Sequence, residues 1–149
     1  MSTQLPADRA AASDLVSALH HAVQDHLRNI AAAYGLTLTQ AAAIRGLEVP
    51  VTQRDLAAQL CCEPSNVTFI VDRLQADGYL EREPHPHDRR AKLLALTDAG
   101  RELRRNLLNA LQDNPPLGGI DDASILRLEE SLGSVLNRLR QTTTGLPAR

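Results

Sequence analysis

Between Thr52 and Gly78 the sequence starts a helix, stops it, starts a second and stops that too. Thr52 with Asp55 three residues on is a capping-box pattern, in which each side chain satisfies an N–H at the start of the helix. Leu56, Ala57 and Leu60 give this first helix a short inner face, and Cys61-Cys62 marks the turn. Pro64 suits the first position of the next helix, where its missing N–H costs nothing. Gly78 suits the residue just past the end, where a positive φ is wanted. Inside that second helix Val67, Ile70, Val71 and Leu74 recur at helical spacing and form a stripe for the core. The other face keeps Ser65, Asn66, Thr68, Phe69 and Arg73. Small residues at Ala57 and Ala58 let two short helices cross closely, as a helix-turn-helix requires.

After Gly78 the period changes. Residues 79–83 and 92–96 each read as a strand, and Pro84-His85-Pro86-His87-Asp88-Arg89-Arg90-Ala91 lies between them, so a β-hairpin with a long loop is expected. The rest is helical. A long pattern over 8–34 carries Leu15, Leu19, Val23, Leu27, Ile30 and Tyr34 and ends at Gly35. A short helix follows over 37–46, and Val49-Pro50-Val51 breaks it. Thr97 caps a fifth helix striped by Leu103, Leu107 and Leu111, which residues 114–119 stop. A last helix begins at Asp121 or Asp122. Its Ile125, Leu128, Leu132, Val135 and Leu139 step like a coiled-coil seam. The fold class expected is mainly α with a small β-hairpin wing, in one domain over 1–149.

Composition narrows the function. Aromatics are 2% of the chain (Tyr34, Phe69 and Tyr79), which argues against a base-stacking platform for single strands. No apolar run approaches a membrane span, and no basic-then-apolar leader pattern opens the chain, so no membrane partner is expected and the cytoplasm is the expected compartment. Adjacent Cys61 and Cys62 do not suggest a disulfide framework. Net charge is −2, and residues 51–97 hold six Lys and Arg against seven Asp and Glu. A DNA-binding face must therefore come from where the arginines point, not from bulk charge.

In a helix-turn-helix the second helix enters the major groove and its N-terminal residues meet base edges. Ser65, Asn66 and Thr68 stand there. Asn pairs bidentately with adenine, and Ser or Thr serves several bases. Phe69 either touches a thymine methyl or covers the turn. Arg73 either meets a phosphate or pairs with Asp72 or Asp77. At the hairpin tip Arg89 and Arg90 suit a narrow minor groove, where negative potential is strongest. Asp88, two residues from Arg90, is near enough to brace a guanidinium.

Residues from about 37 to 100 resemble the MarR family of winged-helix transcriptional regulators. The matching pieces are Leu38-Thr39-Gln40-Ala41, Thr52-Gln53-Arg54-Asp55-Leu56-Ala57, Pro64-Ser65-Asn66-Val67-Thr68 and Val71-Asp72-Arg73-Leu74. They continue with Gly78-Tyr79-Leu80-Glu81-Arg82, Asp88-Arg89-Arg90-Ala91-Lys92 and Leu96-Thr97-Asp98-Ala99-Gly100. The resemblance implies a winged helix-turn-helix over 37–97 with a helical dimerisation region from 8–34 and 98–141. It implies a homodimeric repressor on a pseudo-palindromic double-stranded operator. Gln53, Arg54 and Pro64 join the DNA-facing set. It also implies a small-molecule effector bound where the dimerisation helices meet the winged helix, with His20, His21 or Tyr34 lining that pocket.

The family usually has glycine followed by an apolar residue where Cys61 and Cys62 stand. Cys61 then has to accept a positive φ, at a cost of about 1 kcal/mol. The pair is either two small buried thiols or a redox- or metal-responsive switch, and Cys61→Ser and Cys62→Ser are expected to leave any oxidant response unchanged. The clusters His20, His21, Asp25, His26 and His85, His87 lack convincing metal-ligand spacing. No metal and no cofactor is expected. With no phosphate-cradling glycine loop and no nucleophile with a paired base, no enzyme is expected either. Two alternatives remain: a winged helix that serves only as a protein-interaction module, and a cysteine-based redox-sensing regulator.

Overall fold

The computed structural model describes residues 8–88 and 90–143. Helix α1 spans Arg9–Ala33, α2 Leu38–Gly46, α3 Gln53–Gln59, α4 Pro64–Ala76, α5 Asp98–Asp113 and α6 Asp122–Thr143. Strands are β1 Val51–Thr52, β2 Leu80–Pro84 and β3 Lys92–Leu96. The helices begin where local chemistry says they should. Asp8, Thr37, Thr52 and Thr97 each accept N–H groups of the first turn, and Thr37 with Gln40 and Thr52 with Asp55 complete reciprocal capping boxes.

Three helices end in the same way. After α1, Gly35 N–H reaches the Ala32 carbonyl at 3.0 Å and Leu36 N–H the Ala31 carbonyl at 3.1 Å. After α4, Gly78 bonds Gln75 at 3.1 Å and Tyr79 bonds Leu74 at 3.0 Å. After α3, Cys61 bonds Ala58 at 3.2 Å and Cys62 bonds Ala57 at 3.1 Å. These are Schellman caps, and the motif needs a left-handed residue at its corner. Gly35 (φ 70) and Gly78 (φ 80) supply it freely, whereas Cys61 takes φ 50 with a side chain attached.

The expected hairpin is one half of a three-stranded antiparallel sheet in the order β1-β3-β2. Leu80 pairs with Leu96 and Pro84 with Lys92, while Val51 pairs with Leu94 and Thr52 with Leu93. Val51 thus belongs to a strand, although pattern alone makes Val49-Pro50-Val51 a mere break. A two-residue strand has no period of its own, and only its distant partner defines it. Side chains from α2, α3, α4, β2, β3 and α5 share one core, in which Ile44, Leu56, Val67, Val71 and Leu74 are fully enclosed. Burying such a side chain is worth about 1.5–3 kcal/mol, so α4 is anchored by a continuous apolar stripe. The start of α5 docks on the approach to β2. Thr97 Oγ1 donates to the Gly78 carbonyl at 2.7 Å, and a Cβ at Gly100 would fall 2.0 Å from the Tyr79 carbonyl oxygen. Only glycine fits there.

The chain divides into two compact units, with the division between Pro116 and Leu117. The second unit is built on α6. Hydrogen bonding from the Ser124 side chain, followed by the Ser124 N–H at 3.0 Å, holds the Asp121 carboxyl below the ordinary value of 3.8. The seam expected on α6 is uneven in exposure. Ile125, Leu128 and Leu132 are half-buried, whereas Val135 and Leu139 are exposed.

Candidate nucleic-acid interface

The surface is assembled from the starts of α3 and α4 and from the tip of the β2–β3 wing. Thr52 fixes the first of these. Its hydroxyl donates to Asp55 Oδ2 at 2.6 Å and its N–H reaches the same oxygen at 3.3 Å. The Thr52 side-chain bond, followed by its backbone bond, holds the Asp55 carboxyl below its ordinary value of 3.8. Gln53 and Arg54 follow at once, so the capping box sets where both side chains leave the backbone.

On α4 the division expected from spacing is realised. Val67, Ile70, Val71 and Leu74 are buried, and Ser65, Asn66, Thr68, Phe69 and Arg73 are exposed. Pro64 is the first helical residue, and Glu63 precedes it without a side-chain cap bond. Phe69 is 77% exposed. It does not cover the turn, which leaves the outward role of the two weighed for it. Arg73 takes the intramolecular option, with Nε 3.1 Å from Asp77 Oδ2. Asp72 is paired separately with Arg82 of β2 at 2.6 Å.

One link is not legible from spacing. Gln53 Nε2 donates to Thr68 Oγ1 at 2.7 Å, and the Thr68 hydroxyl donates to the Pro64 carbonyl at 3.1 Å. Because the hydroxyl proton goes to Pro64, the amide must present its N–H to Thr68, which leaves Gln53 Oε1 and a second N–H for another partner. The capping box was the available signal, since it put Gln53 at the first position of α3.

The turn corrects one expectation. Cys61 is exposed and Cys62 is half-buried, its Sγ donating to the Leu60 carbonyl at 3.3 Å. The corner of a Schellman cap carries its side chain away from the helix, so the pair is not two buried thiols.

At the wing tip a second expectation is corrected. Asp88 braces Arg90 through the main chain: its Oδ1 accepts the Arg90 N–H at 2.9 Å. A two-residue separation in a tight turn brings a carboxylate to the following amide rather than to the end of a long side chain. Arg90 is exposed, and Arg89 lies outside the described residues.

A separate groove of about 550 Å³ lies between α1 and α5, lined by His26, Asn29, Ile30, Ala33, Tyr34, Ala110 and Asn114. Tyr34 Oη donates to the Asn106 carbonyl at 3.2 Å, and His26 Nε2 lies 2.8 Å from the Asn114 carbonyl. His20 and His21 are exposed, with ring centroids 5.9 Å apart, and do not line this groove. His26, further along the same helix, does. Its facing toward α5 depends on how two distant helices pack. Among the described residues no three or more His, Cys, Asp or Glu side chains are grouped to hold a metal ion. Nor is any helix among them long and apolar enough to cross a membrane.

Residues 36–92 match the model of the MarR family. An uncharacterised HTH-type transcriptional regulator of Mycobacterium leprae (strain TN), ML2140, is 30% identical over 110 residues, which is 73% of this chain and 77% of that protein. The uncharacterised HTH-type regulator YkoM of Bacillus subtilis (strain 168) is 36% identical over 53 residues, 36% of this chain but only 34% of its own length. Among solved structures, a cysteine-to-serine mutant of MarR from E. coli complexed with operator DNA superposes with a TM-score of 0.73 at 22% identity, covering 83% of this chain and 92% of that one. The fold is thus shared well beyond the reach of sequence identity.

Proposed function

The chain belongs to the MarR family of transcriptional regulators, and from that premise we propose that it is a homodimeric, sequence-specific double-stranded DNA-binding repressor whose affinity is set by a small-molecule effector. The observation that carries this reading is the face of α4. Ser65, Asn66 and Thr68 stand exposed at the helix start, over a stripe of buried aliphatic residues that fixes their position. Gln53, Arg54, Pro64 and Phe69 extend this base-reading face. Arg89 and Arg90 serve the backbone and minor groove, Asp88 holds the main chain at Arg90, and Arg73 stays paired with Asp77. Residues 37–97 then act as the winged helix-turn-helix and 8–34 with 98–141 as the dimerisation helices. Exposed apolar side chains on each of these segments support a second copy of the chain as partner. Leu15 is 71% exposed on α1 and Leu126 is 64% exposed on α6. The groove containing Tyr34 and His26 is a fitting effector site, a mostly apolar recess with a few polar groups. His20 and His21 remain outside it.

In this mechanism two recognition helices address half-sites about one helical turn apart. Effector binding favours a dimer in which their spacing no longer fits both. Nothing in the reading asks for catalysis or a cofactor. Selection of bound duplexes from a random pool tests it. A two-fold-symmetric motif is expected, and equal retention of scrambled duplexes sinks the claim. One observation favours a second reading, a protein-interaction module without DNA: residues 51–97 carry more acidic than basic groups. Salt separates the two, because phosphate contacts make DNA affinity fall steeply as salt rises.

A further inference from the structure

The ladder of the wing runs out at Pro84, paired with Lys92, and Pro86 has no N–H to give. The loop beyond must find its hydrogen bonds elsewhere, and three of them converge on His85. Its N–H donates across the loop to the Ala91 carbonyl at 3.4 Å. Its ring Nδ1 accepts the N–H of His87 at 3.2 Å and that of Asp88 at 3.1 Å. Two bonds continue from Asp88. Its Oδ1 accepts the Arg90 N–H at 2.9 Å, and its carbonyl accepts the Ala91 N–H at 3.1 Å. His85 is half-buried, while Pro86, His87, Asp88 and Arg90 are all exposed. Packing therefore does not shape this loop, and the hydrogen bonds do.

We propose that His85 is a positioning residue for Arg90. Its Nδ1 fixes the Asp88 amide, Asp88 fixes the main chain at Arg90, and the guanidinium leaves from a loop already in its bound shape. The inference rests on the reading of the wing as a DNA-contacting element. An Nδ1 that accepts two N–H groups carries no proton, so the ring proton sits on Nε2. A loop set before binding loses less entropy on contact. Asparagine can replace this acceptor, because its Oδ1 reaches the amides two and three residues on, as in an Asx turn and a helix cap. Alanine cannot.

The test uses the full chain as wild type, His85→Ala, His85→Asn, Arg90→Ala and the double variant His85→Ala with Arg90→Ala. Binding to the duplex recovered from the random pool is read by fluorescence anisotropy, and amide hydrogen exchange is read without DNA. Loss of two modest hydrogen bonds should raise Kd about tenfold in His85→Ala, with His85→Asn within about twofold of wild type. In the Arg90→Ala background, His85→Ala should add less than about twofold, because both act through one contact. Asp88 and Arg90 amides should exchange faster in His85→Ala and not in His85→Asn. Wild-type affinity in His85→Ala, additivity with Arg90→Ala, or no rescue by asparagine overturns the proposal. If the wild type prefers no duplex, the DNA reading fails and exchange alone decides. Unchanged exchange in His85→Ala then overturns the role of His85, and faster exchange rescued by asparagine supports it.

Discussion

The face of α4 and the tip of the wing both offer polar and cationic groups to solvent, but they rest on different supports. Beneath Ser65 and Asn66 lie Val67, Ile70, Val71 and Leu74, all buried. Beneath Arg90 lies a loop with no buried apolar side chain among its described residues, tied by hydrogen bonds from His85 and Asp88. The helix face is therefore rigid because the whole core is rigid, and its side chains can be exchanged without disturbing the fold. The wing tip is rigid only as far as its own hydrogen bonds hold it. Accurate readout of bases suits the first kind of support. A contact to phosphates or to groove potential, which tolerates small displacements, suits the second.

The largest effect comes from undermining the stronger support. Leu74→Ala should cost about 2–5 kcal/mol of unfolding free energy, as cavity-forming changes in a core do, in a urea melt monitored by circular dichroism. A loss within error would mean that α4 is not core-anchored. Next, Asn66→Ala should lose about 1–3 kcal/mol of discrimination at one base position while leaving the melt unchanged. Arg90→Ala should weaken cognate and scrambled duplexes alike, by about tenfold, and lower the slope of log affinity against log salt by about 1. If the two variants exchange phenotypes in a competition titration, the division between helix and wing is wrong.

Cys61→Gly probes the turn between the two short helices. Removing the side chain at φ 50 should raise stability by about 1 kcal/mol, against no gain for Cys62→Gly, in paired thermal melts. The smallest effect concerns the capping box. Asp55 has its carboxyl lowered in the fold, so its stabilisation is present above the ordinary value of 3.8 and disappears as pH falls through the lower folded value. Urea midpoints followed into acid should therefore fall less steeply for Asp55→Asn than for wild type in that window. Equal slopes would mean that the Thr52 bonds do not survive in solution.

Local chemistry made much of this fold legible. Thr52, Pro64, Gly78 and Thr97 mark helix ends because caps are satisfied within a few residues. The positive φ at Cys61 was expected from the family resemblance, which puts glycine there, and not from the local residues. The apolar period placed the buried stripe of α4 correctly, and so left Ser65, Asn66, Thr68, Phe69 and Arg73 outside. What was missed depends on partners far along the chain or on how side chains turn. β1 exists only through Leu93 and Leu94. The Gln53–Thr68 bond exists only because α3 and α4 cross as they do. His26 rather than His20 or His21 lines the groove because α5 lies against that side of α1.

The amino-acid order by itself determined where α3 and α4 begin and end, which face of α4 is buried and where the chain must turn, since capping and helical period are both short-range. Only the tertiary structure decided which polar groups meet. Gln53 reaching Thr68 and Arg82 reaching Asp72 depend on distances that packing sets and no spacing rule encodes.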